Sequence, residues 1–412
     1  MQPLELTLTG QAYLGRAFGR DEEGRVIFVP FGLQGERVRV SLVETHKRWA
    51  LGKLEEVIEP SPSRIQPRCR HYTDCGGCHY QHLPYEHQLQ VKRDVVHAQL
   101  ERLGRIDAPP VLDPVASPTA WHTRNHMQFS LDPNGQLGFL AAGSKRVVPI
   151  QECFLPEQEL CDLWPQIDLE PVENLNRLTL RTDSQSESLI VFHGQGDPGF
   201  EFSTDVAASA VWLSETGLTV LAGEDHLRMQ VLDRLFHVSA GSFFQVHTAL
   251  AADLVQGAIE ALAIHPGDII FDLYAGVGLF SAFIASEGAR LIAVEESPWA
   301  TADFERNLDA FDHVSLYAAP VEMALPSINV QPDAVLLDPP RAGLGAQVVD
   351  RLLALAPKRL VYVSCDPSTL ARDGGRLREG GYHLEFVQPF DLFPQTFHIE
   401  TLSLWTRNLA GS

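Results

Sequence analysis

From about residue 250 onward, short apolar runs alternate with helix-length stretches, and this rhythm restricts the chain more than any other feature. It predicts helices through Thr248–Leu262, from Leu279 to Glu287, and through Asn307 and Leu355. Between them it predicts strands near Asp268–Tyr274, Arg290–Glu295, Val314–Tyr317, Ala334–Asp338, Arg359–Ser364, His383–Val387 and Thr401–Thr406. Such alternation closes into a largely parallel sheet with helices on both faces. Sheets of that kind bind ligands outside the carboxyl ends of their strands, so the residues just past those ends are the ones to read for chemistry.

The earlier part of the chain differs. Residues 1–58 predict short strands at Leu4–Leu8, Gly10–Gly19, Val26–Val29, Arg37–Val43 and Trp49–Ile58, a spacing that suggests a small OB-like β-barrel. Glu59-Pro60-Ser61-Pro62-Ser63 reads as a linker, and residues 59–110 then carry a cysteine-rich segment and a helix from Tyr85 to Leu103. Residues 111–240 read as a mixed α+β, β-rich central region, and residues 241–412 as the α/β unit. A length of 412 residues agrees with several domains. No apolar run is long enough to span a bilayer, and Met1-Gln2-Pro3-Leu4-Glu5 lacks the basic and apolar sections of a secretory signal. A cytoplasmic monomer with no membrane partner is expected.

The net charge of −21 at first opposes a polyanionic partner, because affinity for phosphates comes largely from Lys and Arg. The charge is unevenly placed. Residues 1–128 hold 16 Lys/Arg against 15 Asp/Glu, and residues 129–412 hold 16 against 38. The N-terminal third can therefore present a local positive face while the remainder keeps the protein soluble.

Four motifs carry chemistry. Phe271-Asp272-Leu273-Tyr274-Ala275-Gly276-Val277-Gly278 lies at a strand-to-helix turn, where glycines let the backbone approach a ligand. Glu295, closing the next strand, suits ribose hydroxyls. A dinucleotide fingerprint would want a third glycine, but position 281 is Ser, so the pattern fits S-adenosylmethionine better than NAD. Leu337-Asp338-Pro339-Pro340-Arg341 follows an apolar strand, and its prolines hold the Asp338 carboxylate in a stiff, extended turn. Val363-Ser364-Cys365-Asp366-Pro367 places a cysteine at the same sheet edge. Carbon 5 of uracil is a poor nucleophile until something adds at carbon 6, and a thiolate suits that addition, its free pKa of about 8.5 leaving a few per cent ionised near neutrality. The reaction then needs a base for the carbon-5 proton, which Glu400 in Phe393-Pro394-Gln395-Thr396-Phe397-His398-Ile399-Glu400 can supply. Finally, Cys69, Cys75 and Cys78, with Cys153 as a distant fourth, can hold either zinc or an iron–sulfur cluster. Cys161 is expected to pack in the core.

With these motifs in hand, the sequence resembles the uracil-5 RNA methyltransferases over nearly its whole length. The resemblance rests on Asp272-Leu273-Tyr274-x-Gly276-x-Gly278, Asp338-Pro339-Pro340-Arg341, Ser364-Cys365-Asp366-Pro367, Thr396-x-His398-x-Glu400 and Gly241-Ser242-Phe243-Phe244-Gln245-Val246. It implies a Rossmann-like methyltransferase fold with a seven-stranded sheet. Gln245, Tyr274, Gly276, Gly278, Glu295 and Asp338 would bind S-adenosylmethionine, Cys365 would be the nucleophile and Glu400 the proton acceptor. The barrel is similar to a TRAM domain through Gly15-Arg16, Phe28-Val29-Pro30 and Gly35-Glu36-Arg37-Val38, which implies RNA binding. The four-cysteine pattern implies a [4Fe–4S] cluster rather than zinc. Barrel and cluster together look most like the branch that modifies 23S ribosomal RNA. Three departures stand out: Leu279 and His247 occupy positions where asparagine is usual, and Ala319-Pro320-Val321 lacks a polar cofactor contact.

Three rival readings compete. Cytosine-5 methylation also uses a cysteine adduct, but the Glu400 motif and the lack of a second cysteine near Asp338-Pro339-Pro340 argue against it. Uridine-5 methylation of transfer RNA is the nearest alternative substrate. A non-catalytic RNA-binding chaperone on the same scaffold would not need both Cys365 and Glu400.

Overall fold

The N-terminal strands alternate apolar and polar residues, and that period turns one face of each inward. In the computed structural model β1 (Leu4–Ala12), β2 (Arg16–Arg20), β3 (Val26–Pro30), β4 (Arg37–Thr45) and β5 (Trp49–Glu59) form a closed barrel in the order β1-β2-β3-β5-β4. Its interior is filled by Leu6, Leu8, Ile27, Val29, Val38 and Val40 with smaller neighbours. The stretch expected as one strand over Gly10–Gly19 is two, because Leu14 and Gly15 adopt φ of 67° and 69° and reverse the chain. The structure describes residues 3–407 apart from 168, 170, 171, 173 and 200–206, so Met1 and Gln2 lie outside the described residues.

The linker is strapped to the barrel. Glu36, fully buried, accepts hydrogen bonds from Leu33 N–H (2.9 Å), Ser61 N–H (3.2 Å) and the Arg64 guanidinium (2.5 and 2.8 Å). Helix α1 (Tyr85–Arg102) follows and lays Val95, Val96 and Leu100 into the C-terminal core.

The central region is a second sheet. It contains β6 (His126–Leu131), β7 (Leu137–Leu140), β8 (Val147–Pro149), β9 (Leu175–Thr182), β10 (Ser188–Gly194), β11 (Ser209–Ser214) and β12 (Gly217–Ala222). They lie in the order β12-β11-β10-β9-β6-β7-β8, with helix α2 (Gln158–Leu163) beside them. The hairpin β13 (His226–Val231) and β14 (Arg234–Ser239) leads on to the C-terminal unit.

That unit runs α3 (Thr248–Leu262), β15 (Ile269–Leu273), α4 (Leu279–Ser286), β16 (Arg290–Glu295), α5 (Pro298–Asn307), β17 (Val314–Ala318), α6 (Val321–Ala324), β18 (Ala334–Leu337), α7 (Ala346–Leu355), β19 (Arg359–Ser364), α8 (Pro367–Glu379), β20 (His383–Phe390) and β21 (Glu400–Thr406). The sheet has seven strands in the order β17-β16-β15-β18-β19-β21-β20. Its first five are parallel, and β21 pairs antiparallel with both β19 and β20. Every residue of β18 is buried, as expected of a strand covered on both faces. Two apolar cores flank the sheet: Leu254, Ile270, Leu336 and Val361 belong to one, and Phe271, Val335, Leu360 and Trp405 to the other. Alternate residues of each strand thus feed opposite cores.

Candidate active site

The pairing of β19 with β21 sets the centre of the site. Its register runs from Arg359↔Thr406 to Ser364↔Thr401, and one further step places Cys365 opposite Glu400. Both line a cavity of ≈ 650 Å³ at the carboxyl ends of the parallel strands, together with Gln245, Tyr274, Gly276, Glu295 and Asp338. The structure therefore gathers into one wall every expected donor-binding or catalytic residue that carries a side chain, plus the Gly276 backbone. Gly278 stands off that wall. It is the N-cap of α4 at φ 89°, and a Cβ there would meet Leu308 at 2.3 Å, so it serves the turn and the packing behind it.

Each polar group on the wall has a fixed orientation. Glu295 accepts N–H bonds from Gly276 (2.8 Å), Glu296 (2.9 Å) and Ser297 (2.8 Å). Tyr274, just past β15, sits at φ 67° and lines the cavity. Asn125 Nδ2 donates to the Gln245 carbonyl at 3.0 Å, which ties the Gln245 loop to the central region. His247, where asparagine is usual, joins two elements. Its Nδ1 caps α3 by accepting from Leu250 N–H, and its Nε2 pairs with Ser117 Oγ at 2.7 Å. Leu279 contributes apolar surface, and Glu322, one residue past Ala319-Pro320-Val321, puts a carboxylate on the wall.

The electrostatics are acidic. Glu400 is buried, and both burial and the nearby Asp338 push its carboxyl well above the usual carboxylate range. Burial, then Asp272 and Glu295, push Asp338 up to about 7. Burial likewise lifts Asp272 to about 7, although Ser281 Oγ donates to it at 2.5 Å. Cys365 is pushed up to about 12, by burial first and then by Glu400, Asp338 and Asp366. The surroundings of Cys365 therefore disfavour its thiolate relative to a free thiol, and a positive charge at the site would favour it. The carboxylates that suppress the thiolate also make the cavity complementary to a cationic methyl donor.

Further residues complete the site. Phe243, 70% exposed, projects at the cavity wall beside Gln245, where an aromatic face can stack on a base. Arg341 also lines the cavity, and its Nε meets Asp366 Oδ2 at 3.3 Å. The hydroxyl of Tyr13, from the barrel, interacts with both Asp366 and Arg341, and its ring packs edge-on against Phe397 at 6.2 Å. His398 faces the same cavity, and burial holds it down to about 4, hence neutral. Phe243, Arg341 and His398 lie within the sequence motifs, whereas no local motif marks Tyr13.

A second cavity, of ≈ 250 Å³, is lined by Cys69, Cys75, Cys78 and Cys153. Among the described residues no three His, Cys, Asp or Glu side chains come together closely enough for a single metal ion. The four thiols line one shared space. Burial pushes Cys78 up to about 11 and Cys153 up to about 12. Cys161, only partly buried, donates its thiol to the Cys153 carbonyl at 3.3 Å and so backs the fourth cysteine rather than filling the core.

A seven-stranded sheet of this order, with an acidic cavity at its carboxyl edge, is an arrangement that suits a methyltransferase. Residues 321–408 match the tRNA (uracil-5-)-methyltransferase family, and residues 2–54 match the TRAM domain. An RNA methyltransferase of Streptomyces coelicolor is 33% identical over 95% of this chain and 90% of its own, and one of Synechocystis is 31% identical over 96% and 94%. Among solved structures, a Pyrococcus abyssi tRNA (uracil-54, C5)-methyltransferase in complex with S-adenosyl-L-homocysteine shares the fold, with a TM-score of 0.74 at 24% identity over 98% of this chain and 100% of that one. The chain belongs to the RNA uracil-5 methyltransferase family, and is an S-adenosylmethionine-dependent RNA methyltransferase.

Proposed function

We propose that this protein methylates carbon 5 of a specific uridine in 23S ribosomal RNA, with Cys365 as the nucleophile and Glu400 as the proton acceptor. The observation that carries the reading is the juxtaposition of Cys365 and Glu400 across β19 and β21 in a cavity shared with Gln245, Tyr274, Glu295 and Asp338. Those four side chains and the Gly276 backbone would hold S-adenosylmethionine, with Glu295 on the ribose. When bound, S-adenosylmethionine supplies an electrophilic methyl group on a cationic sulfur.

The protein's own residues do the rest. The ionised Cys365 sulfur adds to carbon 6 of the uracil, and the ring electrons move onto the carbon-4 oxygen, making carbon 5 nucleophilic. After carbon 5 has taken the methyl group, the Glu400 carboxylate removes the carbon-5 proton. The freed electron pair re-forms the carbon 5–carbon 6 double bond, the carbon–sulfur bond breaks, and Cys365 returns as a thiolate. A carboxylate made more basic by burial suits that proton transfer.

Around this centre, residues 1–58 would serve as the RNA-binding barrel and residues 241–412 as the methyltransferase unit. Residues 59–110 and the central region at 111–240 would jointly hold a [4Fe–4S] cluster on Cys69, Cys75, Cys78 and Cys153. The cluster fits the donor set because four soft sulfur ligands line one cavity beside Arg124, whose Nε and Nη2 have no hydrogen-bond partner among the described residues. Barrel and cysteine cavity together favour ribosomal RNA. The transfer-RNA reading draws on the description of the matching family. The test is to incubate the purified protein with labelled methyl donor and with transcripts of 23S and transfer RNA, then map the product. 5-Methyluridine in 23S RNA alone is expected. Methylation confined to transfer RNA would move the substrate, methylcytosine would defeat the uracil chemistry, and RNA binding with no transfer would leave a chaperone.

A further inference from the structure

The cysteine cavity contains one residue that the methylation chemistry does not use. Arg124 lies between β6 and the turn before it, and its side chain lines the cavity with the four cysteines. Its Nε and Nη2 are sealed from solvent and have no hydrogen-bond partner among the described residues. The main chain around it is fixed: Arg124 N–H donates to the Leu155 carbonyl at 3.0 Å, and its carbonyl accepts from Glu157 N–H at 2.8 Å. The guanidinium lies over the ring of Phe393, 5.8 Å from the centroid. Asp391, the buried carboxylate within its electrostatic reach, is already paired with Lys92. A half-buried guanidinium with two sealed, unpartnered nitrogens is costly, and such groups persist where a counter-charge occupies the site.

The opposing charge is available on the same wall. The strongest favourable electrostatic partners of Arg124 are Cys78 and Cys153, followed by Asp391 and Cys75. As thiols these cysteines offer it nothing, but a cluster held by four thiolates is net negative, and hydrogen bonds to cluster sulfurs are a recognised control on its energetics. Resting on the cluster reading above, we propose that Arg124 is the counter-charge of the iron–sulfur cluster, with its free guanidinium N–H groups directed at the cluster's sulfurs. Phe393, against which the guanidinium packs, is also a wall of the methyl-transfer cavity. Arg124 and Phe393 are therefore the material between the two sites, and cluster binding fixes one face of that partition.

A counter-charge role predicts a change of sign that a merely structural arginine would not give. Full-length protein is purified anaerobically as wild type, Arg124→Met and Arg124→Lys, and each is followed for iron and sulfide content, visible absorbance, cluster loss to a chelator and reduction potential. Removing the charge should speed cluster loss by about tenfold or more and move the potential to more negative values, while Arg124→Lys stays near wild type in both. After the cluster is stripped, Arg124→Met should melt at or above the stripped wild type, because the unpaired charge is gone. Iron-loaded wild type with an Arg124→Met variant that keeps its cluster and potential overturns the counter-charge alone. Lower stability of Arg124→Met in both loaded and stripped forms also overturns it, in favour of a packing role. Wild type that contains no iron and sulfide overturns the cluster reading and this inference with it.

Discussion

At Cys365 the structure sets two demands in tension. The thiol must ionise to attack carbon 6, yet burial and three neighbouring carboxylates hold it up near 12. A bound sulfonium cation relieves that suppression. Alkylation of Cys365 by iodoacetamide should therefore be slow at neutral pH, rise toward high pH without levelling near the free-thiol value of about 8.5, and quicken when S-adenosylmethionine is present. Alkylation that levels off near that free value in the unliganded protein would show that the carboxylates do not reach the thiol. The candidacy of Cys365 and Glu400 was legible because each stands in a short motif next to a predicted strand. Tyr13 and Arg124 were not, since a tyrosine in a barrel turn or an arginine before a strand looks the same whether it faces solvent or a cavity.

Among the elements, the tie between α1 and the C-terminal sheet is the most exposed to test. Lys92 is 1% exposed, pairs with the fully buried Asp391, and also donates to the Phe393 carbonyl at 3.0 Å. Lys92→Met would leave Asp391 as an uncompensated buried charge, so a loss of roughly 3–5 kcal/mol is expected in denaturant unfolding. A loss below about 1 kcal/mol would mean that Asp391 takes up a proton instead. A second tie crosses from the barrel. Tyr13 touches Asp366 and Arg341, and Asp366 both follows Cys365 and caps α8 by accepting from Ser368 N–H at 2.9 Å. Tyr13→Phe should lower kcat several-fold while leaving RNA affinity and melting temperature near wild type. An unchanged kcat would confine the barrel to RNA binding. Helix α8 went unread in the sequence although Asp366-Pro367 is a good start signal, with a capping carboxylate and proline at the first helical position. The same residues also read as a catalytic motif, and that reading obscured the cap. The single strand expected over Gly10–Gly19 failed for a different reason: nothing local marks Leu14 as a residue that takes positive φ.

For the whole molecule, the acidic excess of residues 129–412 acquires a local meaning in a cavity lined by Glu295, Glu296, Glu322, Asp338 and Glu400. Asp272 and Asp338 are raised to about 7 and Glu400 is also raised, whereas an unfolded chain ionises its carboxyls near about 4. For Asp272 and Asp338 the stability contributed is present below about pH 4 and is lost as pH rises through about 7, and Glu400 acts in the same direction. A cationic donor reverses the preference by favouring the ionised forms. S-adenosylmethionine should therefore bind more tightly as pH rises from about 6 to about 8, with release of protons. The uncharged sulfur of S-adenosylhomocysteine should give a smaller trend in calorimetry. Equal pH dependence for the two ligands would remove the carboxylates from donor selection.

The alternating pattern after residue 250 made the parallel sheet legible, and the glycine-divided strands made the barrel legible. The order of the central sheet was not, because β6 pairs with β9 and β10 runs parallel to β11, partnerships between distant segments that no local pattern encodes. The pairing that matters most is likewise long-range, setting Cys365 opposite Glu400. The most direct measurement is intact mass spectrometry of Glu400→Gln after incubation with a uridine-containing substrate RNA and S-adenosylmethionine. The expected result is a denaturation-stable protein–RNA conjugate that carries one added methyl group, maps to Cys365 and is absent from Glu400→Gln/Cys365→Ala. Free methylated RNA released at the wild-type rate, with no conjugate, would contradict the assignment of Glu400 as the base.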